Sequence, residues 1–474
     1  MTTRMAAQPP TTPNSIFVQI ASYRDSQLIP TLLDLINNAK SPDLLRIVVC
    51  WQHASDEPIG AFWREGIGKW RKEQVDGRTI HHLSYRDAKI ELIDVPHMMT
   101  QGACWARNLL QQRYRGERYT LQLDSHHRFI DAWDAAAIEM LESLRDKSAK
   151  PVLTTYLPMY DPENNGRNDD VPFVMAYSSF SKEGVVLFNS KRLADWDRLE
   201  RPVRTRFYSA HFAFADGHFA ETVQHDPNYF FLGEEISIAV RAFTHGYDLY
   251  SPHRIIGWHE YTRAHRVKMW HDHNHEAAAR CEIDEPWHER NQRSLQRNRA
   301  LLGIDGETAP AEHFGKYGLG TERTLADYEA YAGISFAWRG VQPAVLNHEP
   351  PVPGAQRGDE AAWKASLLRA YDLRVYVRQK SFDKHGAAPG VPVTLPAATS
   401  ATVTVHGSGE TTLHEEHVDA KRLLRYRKDE RLDFHLSFHL SFGSELERIP
   451  TAYTVALFDE GGNLLSRVRR EIDA

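Results

Sequence analysis

The feature that most limits the fold is the order of apolar runs near the start of the chain. Residues 16–20 (IFVQI) form a short run of strand type. The polar stretch ASYRDSQL follows at once. Residues 29–39 then carry apolar side chains at helical spacing, and residues 47–50 (IVVC) are a second strand. Strand, loop, helix, strand opens a parallel βαβ unit, because parallel neighbours need a crossover and a helix supplies it. Residues 90–95 (IELIDV) add a third strand. Residues 102–113 (GACWARNLLQQR) add a helix that buries Ala103, Ala106, Leu109 and Leu110. Residues 62–76 between them read as a polar helix. In residues 119–129 (YTLQLDSHHRF) the buried run of Leu121 and Leu123 stops abruptly at Asp124, Ser125 and His126.

Open α/β sheets collect ligands at the carboxyl ends of their strands. Asp124 and His126, two residues apart at such an end, can turn toward one cation. A hard oxygen paired with an imidazole nitrogen suits Mn²⁺ or a similar divalent ion better than Ca²⁺. In the loop after the first strand, Tyr23, Arg24 and Asp25 either touch a nucleotide or form a solvated turn with a local Arg–Asp pair. Arg107 either neutralises a phosphate, fixes Asp124, or lies on the surface.

Further along, a helix is expected over 132–147 and strands over 151–157, 185–188 and 207–214, with a polar loop at 161–170. The stretch 228–250 (NYFFLGEEISIAVRAFTHGYDLY) leads an aromatic run into Gly233 and the pair Glu234, Glu235. Ile236, Ala239, Val240 and Phe243 continue at helical spacing, Gly246 stands at a helix C-terminus, and residues 247–250 begin a strand. Acids in a first helical turn are favoured by the helix dipole. The other reading is a carboxylate that accepts hydrogen bonds from sugar hydroxyls, with Gly233 allowing close approach. In residues 255–263 (IIGWHEYTR) an apolar run ends in His259, much as Leu123 leads into Asp124. His259 is the candidate third metal ligand and Arg263 a candidate cation for a diphosphate. His265, His271, His273 and His275 fit no zinc spacing and read as a polar surface helix. Thr324 is the N-cap of a helix over 325–331. Gly315, Gly318 and Gly320 lack the GK[ST] of a phosphate-cradling loop.

Pro and Gly become frequent over 341–359, a linker signature. Strand patterns follow at 373–377, 391–395, 401–405, 432–442 and 453–458. DFHLSFHLSF alternates cleanly, with Phe434, Leu436, Phe438, Leu440 and Phe442 on one face, and residues 459–463 form a hairpin turn. The expected organisation is a disordered lead-in (1–14), an α/β domain (15–340), a linker (341–363) and a β-sandwich-like domain (364–474). The last domain has no metal or catalytic constellation. It is a structural or oligomerisation module, or it binds acceptor or glycan.

Composition removes several classes. The formal net charge of −6 over 474 residues argues against a general nucleic-acid binder. Three scattered cysteines, with no CxxC pair, point to a reducing compartment. No apolar run is long enough to cross a membrane, and MTTRMAAQPPTTPNS has no apolar core of a secretory signal. A soluble, cytoplasmic protein is expected.

The blocks FVQIASYRD, GACWARN, LQLDSHHRF, FLGEEISIAVRAFTHGYDLYSP, HEYTR and YGLGTERTLADYEAYAGI resemble, in order, those of the UDP-GlcNAc:polypeptide N-acetylglucosaminyltransferases of the hydroxyproline-modifying type. They span roughly residues 15 to 335, so the C-terminal part lies outside the resemblance. The DSH triplet and FLGEE are also similar to the DSH and WGGEN blocks of polypeptide GalNAc-transferases. The resemblance implies a GT-A (Rossmann-like) glycosyltransferase domain, a UDP-GlcNAc donor, and a divalent cation (Mn²⁺ or Mg²⁺) at a DXD-like motif. It implies transfer with retention to a hydroxyl acceptor on a protein. The alternatives are the same donor chemistry on a bacterial glycan, or a non-catalytic nucleotide-sugar or glycan-binding protein. By the same carry-over Asp124, His126 and His259 hold the metal. Tyr23, Arg24 and Asp25 hold the uridine, Arg107 serves the nucleotide side and Arg263 the diphosphate. Glu234 and Glu235 are the catalytic-site carboxylates for donor sugar or acceptor hydroxyls. No nucleic-acid partner and no membrane insertion are expected, and the C-terminal β domain is a possible oligomer contact.

Overall fold

The computed structural model describes residues 12–262, 266–384, 398–430 and 433–472. The N-terminal lead-in up to residue 11, the strand expected at 391–395, Arg263 and His265 lie outside the described residues. Two compact units are present. One runs to Ala337 and includes His348–Arg357; the other comprises Trp338–Asn347 and the chain from Gly358.

The first unit begins with β1 (Ile16–Tyr23), α1 (Leu28–Asn37), β2 (Leu45–His53), α2 (Gly60–Arg64), β3 (Gly68–Val75), β4 (Arg78–Tyr85) and β5 (Ala88–Pro96). Next come α3 (Ala103–Gln111), β6 (Tyr119–Asp124), β7 (His127–Phe129), α4 (Trp133–Glu142) and β8 (Pro151–Thr154). A region of short pairings holds β9 (Tyr160–Asp161), β10 (Gly166–Arg167), β11 (Phe173–Phe180), β12 (Val186–Arg192) and β13 (Val203–Arg204). It leads to β14 (Phe212–Asp216), α5 (Phe219–Thr222), α6 (Glu234–Thr244), β15 (Asp248–Ser251) and β16 (Gly257–His259). The unit ends with α7 (Met269–Asp272), α8 (His275–Ala279), α9 (Trp287–Leu302) and α10 (Leu325–Ala332).

Among the described residues, ten strands form one mixed sheet in the order β13-β15-β8-β14-β6-β1-β2-β5-β4-β3. β6, β1, β2 and β5 are mutually parallel. β14 runs antiparallel to both β6 and β8. The strands of the parallel block read as nearly continuous apolar runs because both faces are covered. Val18 and Ile20 pack with Leu32 and Leu35 of α1 and with Ala137 and Leu141 of α4. Phe17, one residue off in the pleat, joins Val48, Cys50 and the α3 residues Ala106 and Leu110 on the other face. This is the expected GT-A-type α/β sheet, accompanied by smaller all-β sheets in the C-terminal region.

Residues 62–76 are not a polar helix: α2 ends at Arg64 and β3 follows. β3 and β4 form a hairpin that extends the sheet beyond β5. The turn is Asp76–Gly77, both at positive φ, a pair suited to a two-residue hairpin turn. β3 is the edge strand, and polar, charged side chains are what protects such an edge. That composition hid the strand pattern. The histidine-rich stretch also differs from a single surface helix. It forms the short α7 and α8, and His273 between them is buried.

In the second unit the strand Leu368–Arg378 pairs antiparallel with Asp433–Glu445. A separate sheet is built from Ser400–His406, Thr412–Val418, Ala452–Phe458 and Leu464–Glu471. Phe434, Leu436, Phe438, Leu440 and Phe442 are all buried, packed with Val403, Val405, Val455 and Leu457. The hairpin turn at 459–463 joins the last two strands. Among the described residues no helix is long and apolar enough to cross a membrane.

α3 starts from Gly102 at φ +127°, where a Cβ would lie 2.9 Å from the Phe230 carbonyl oxygen. Gly102→Ala combines strained backbone with a backbone clash, so it is expected to cost about 1–3 kcal/mol. A lower urea midpoint followed by circular dichroism would show it; an unchanged midpoint would refute the account.

Candidate functional site

The carboxyl ends of β1, β2 and β6 face a cleft of about 910 Å³, open to solvent. Tyr23, Gln52, Arg107, Asp124, His126 and Arg266 are among the residues that line it.

β6 places Asp124 at its last position, and after two intervening residues the chain enters β7. β7 pairs antiparallel with β16, with His127 opposite His259. The Glu260 amide donates to the His126 carbonyl at 3.2 Å. This small ladder carries His259 to the end of β6. Asp124, His126 and His259 each direct one ligand-type atom into a group whose members lie within 4.8 Å of one another. Asp124 Oδ2 is 3.7 Å from His126 Nε2 and 3.6 Å from His259 Nε2.

The donor set fits a divalent cation. His259 is buried, yet among the described residues neither ring nitrogen has a hydrogen-bond partner. A buried orphan of this kind is unfavourable unless a ligand completes it. Burial, with His211, His126 and His127 nearby, holds His259 well below its ordinary pKa, in the neutral form that metal binding requires. His126 Nδ1 lies 2.8 Å from Asp25 Oδ2. A carboxylate only accepts, so Nδ1 carries the proton and Nε2 is the acceptor nitrogen, with Arg266 Nη1 at 2.7 Å and Asp124 Oδ2 at 3.7 Å. Outer partners commonly orient metal-binding imidazoles in this way.

Asp25 therefore sits under the imidazole. Its side chain is 2% exposed, and Ser125 Oγ also donates to it at 2.7 Å. Burial alone would raise its pKa, but His126 and Arg266 hold it below the ordinary value. Tyr23 lines the cleft and donates its hydroxyl to Asp272 at 2.6 Å. Arg24 reaches the same carboxylate at 3.0 Å and stands at φ +44°.

Arg107 is buried and bridges two carboxylates. Nη1 donates to Glu234 Oε1 and Oε2 at 2.5 and 2.6 Å, and Nη2 donates to Asp124 Oδ1 at 2.6 Å. Burial works against its charge, and Glu234 and Asp124 more than offset that. Burial would raise Glu234, but Arg107 and His225 bring it down to about 2. His225 Nδ1 lies 2.7 Å from Glu234 Oε1, and its Nε2 is 2.5 Å from Gln122 Oε1 in β6. Cys104, His225 and Glu234 also cluster within ligand distance. Arg107 already occupies both Glu234 oxygens there, so that cluster is an ion-pair network.

Glu235, the next residue, has a different environment. It accepts from the Tyr156 hydroxyl at 2.7 Å and from the Ala210 amide at 2.9 Å. Among the described residues no cation pairs with it directly, and burial raises its pKa to about 7. His211 and Tyr261 stand between it and the Asp124, His126 and His259 group: the His211 ring stacks on His259 at 4.1 Å and lies 5.2 Å from the Tyr156 ring. The Tyr261 hydroxyl donates to the Leu157 carbonyl.

The structure thus brings Asp124, His126, His259, Asp25, Arg107 and Glu234 into one contiguous group, with Tyr23 on the cleft wall and Glu235 behind His211. Sequence reading missed Gln52, Tyr156, His211, His225 and Arg266. Arg266 rests its Nη1 at 2.6 and 2.7 Å from the two His126 ring nitrogens, and its Nη2 pairs with Glu260 at 2.7 Å. Only Arg266 left a local signal, as a second arginine just after HEYTR.

The family described as Glycosyltransferase (GlcNAc) matches residues 15–338. No curated protein matches the chain. Among solved structures, the chain is similar to GalNAc-T7 with UDP, GalNAc and Mn²⁺ at 12% identity and a TM-score of 0.43, covering 97% of this chain and 72% of that one. It is similar to S. aureus TarS at 10% identity and a TM-score of 0.33, covering 97% and 86%. It is also similar to the mannosyltransferase PcManGT from Pyrobaculum calidifontis in complex with GDP-Man and Mn²⁺, at 13% identity and a TM-score of 0.33, covering 55% and 61%.

The raised pKa of Glu235 makes stability depend on pH. Folding favours its protonated form, so that contribution is full below pH 4.5 and is lost as pH rises through about 7. Glu235→Gln removes the dependence. Relative to wild type, the variant is expected to gain roughly 3 kcal/mol between pH 4.5 and pH 8. Urea unfolding at the two pH values measures this; a constant difference would show that Glu235 is not held protonated.

Proposed function

Because the chain belongs to the Glycosyltransferase (GlcNAc) family, we propose that it is a metal-dependent, retaining transferase. The reaction moves GlcNAc from UDP-GlcNAc to a hydroxyl on a protein acceptor. The observation that carries the metal-dependent reading is the convergence of Asp124, His126 and His259 at the end of β6, with both nitrogens of a buried His259 unpartnered among the described residues. The GlcNAc donor and the hydroxyproline-type protein acceptor rest on the sequence blocks.

In this reading Asp124 Oδ2, His126 Nε2 and His259 hold a divalent cation. When bound, the cation neutralises the charge that develops on the departing diphosphate. Arg266, beside His126 in the cleft, adds a fixed positive charge on the same side; Arg263 is assigned the same work from the sequence. Preorganised cations of this kind favour the transition state over the ground state. Tyr23 and Gln52 form the nucleoside wall, with Arg24 behind Tyr23. Asp25 keeps the His126 proton on Nδ1 and so acts under the metal site rather than on uridine.

Of the two carboxylates at the start of α6, we assign Glu235 to the hydroxyl groups. Its pKa of about 7 lets it accept or donate a hydrogen bond near neutral pH. Glu234 serves through Arg107. The mechanism we assign is same-face attack, in which the leaving phosphate helps take the acceptor proton. It requires no enzyme nucleophile and gives retention.

Asp124→Ala is expected to remain folded, at lower stability because buried Arg107 loses one partner, and to lose metal-dependent UDP binding and sugar transfer. Calorimetry with UDP and Mn²⁺, with and without EDTA, measures the first. A panel of UDP-sugars with Mn²⁺ or Mg²⁺, followed by mass spectrometry of candidate protein acceptors, measures the second. Full activity in EDTA would remove the metal from the mechanism. UDP-GlcNAc binding with neither transfer nor hydrolysis would favour a non-catalytic role.

A further inference from the structure

Arg107 competes for the carboxylate that the proposed metal needs. A guanidinium is a planar fork, and facing a carboxylate it normally takes both oxygens. Here it does not. Its Nη1 is taken by both oxygens of Glu234, and only Nη2 reaches Asp124, at Oδ1. Asp124 Oδ2 is left facing His126 Nε2 and His259 Nε2.

Glu234 has little freedom to do otherwise. It is 3% exposed, and His225, 1% exposed, lies 2.7 Å from its Oε1. His225 is tied in turn to Gln122 inside β6. The backbone before Glu234 is equally fixed: Gly233 has φ +88°, and a Cβ there would lie 2.9 Å from Asn298 Cγ. The chain of contacts leaves β6 at Gln122 and returns to it at Asp124. The Glu234 charge also balances that of Arg107, so the Asp124 charge remains available.

We propose that Glu234 is a positioning residue for the metal carboxylate: by anchoring Arg107 it confines the guanidinium to one oxygen of Asp124 and thereby sets the affinity of the site for a divalent cation. The proposal rests on the metal site described under the proposed function, and it assigns Glu234 a role in the protein without donor or acceptor. In Glu234→Gln the guanidinium is free to turn both nitrogens onto Asp124 and cover Oδ2.

The test is Mn²⁺ titration of the purified full chain, without nucleotide, read by the electron paramagnetic resonance signal of free Mn²⁺. Glu234→Gln is expected to bind Mn²⁺ about 10- to 100-fold more weakly, the range seen when outer partners of metal ligands are removed. Glu234→Asp, which keeps the charge, should lose less. Because the effect passes through Arg107, Arg107→Met with Glu234→Gln should bind no more weakly than Arg107→Met alone. Unchanged Mn²⁺ affinity in folded Glu234→Gln overturns the proposal, as does independent, multiplying loss in the double variant. Should Glu234→Gln not fold, unchanged affinity in Glu234→Asp together with multiplying loss in the double variant overturns it. A wild-type chain that binds no Mn²⁺ overturns the metal site itself along with the proposal.

Discussion

The electrostatics of the site depend on one buried cation. Arg107 is 4% exposed, in a place where a lone guanidinium would be very costly. Its two carboxylate partners come from different elements, Asp124 from β6 and Glu234 from α6, while Arg107 itself belongs to α3. Satisfying that charge therefore fixes three elements against one another. Removing one partner of such a set costs more than the set contributes as a whole, because the remaining charge stays buried. The end of β1 carries a similar arrangement. Asp25 holds His126, and Arg266 lies between His126 and Glu260. The first arrangement leaves Asp124 Oδ2 facing His126 and His259, and the second sets Arg266 Nη1 beside His126 Nε2.

What the sequence revealed and what it hid follow from where the controlling contacts lie. The parallel block was legible because its strands are buried on both faces and so read as apolar runs. The convergence of Asp124, His126 and His259 was legible because each stands where an apolar run stops. The β3–β4 hairpin was not, since an edge strand such as GKWRKEQV carries polar side chains that mimic a solvated helix. Short-range pattern also says nothing about which buried group a charge will meet. Asp25 lies in the loop where a nucleotide contact is the natural expectation, yet its partner His126 comes from a strand end far along the chain. Likewise His225 has no motif around it, and its importance comes from standing between Gln122 and Glu234.

The two glutamates of FLGEE show how finely environment divides neighbouring residues. Both begin α6, and both have burial acting to raise their pKa. Glu234 meets a guanidinium and an imidazole and falls to about 2, whereas Glu235 meets, among the described residues, a hydroxyl and an amide and rises to about 7. One carboxylate is fixed as a permanent anion and the other is poised to exchange a proton. That divergence is the pattern by which sites assign separate tasks to adjacent acids. No sequence rule separates them, since the difference lies in Arg107 and Tyr156, which are supplied by other elements.

The position of β14 bears on how the chain can be shortened. β14 lies between β6 and β8 and is hydrogen-bonded to both. Within the large sheet it is the link that joins the β1–β6 block to β8 and β15. A fragment ending before Phe212 would keep all of the parallel block and every residue of the DSH triplet. Its β6 would nonetheless be a raw edge, with a row of unpaired backbone groups along an apolar strand. Such an edge invites pairing with other chains. The N-terminal parallel block is thus not a separable module.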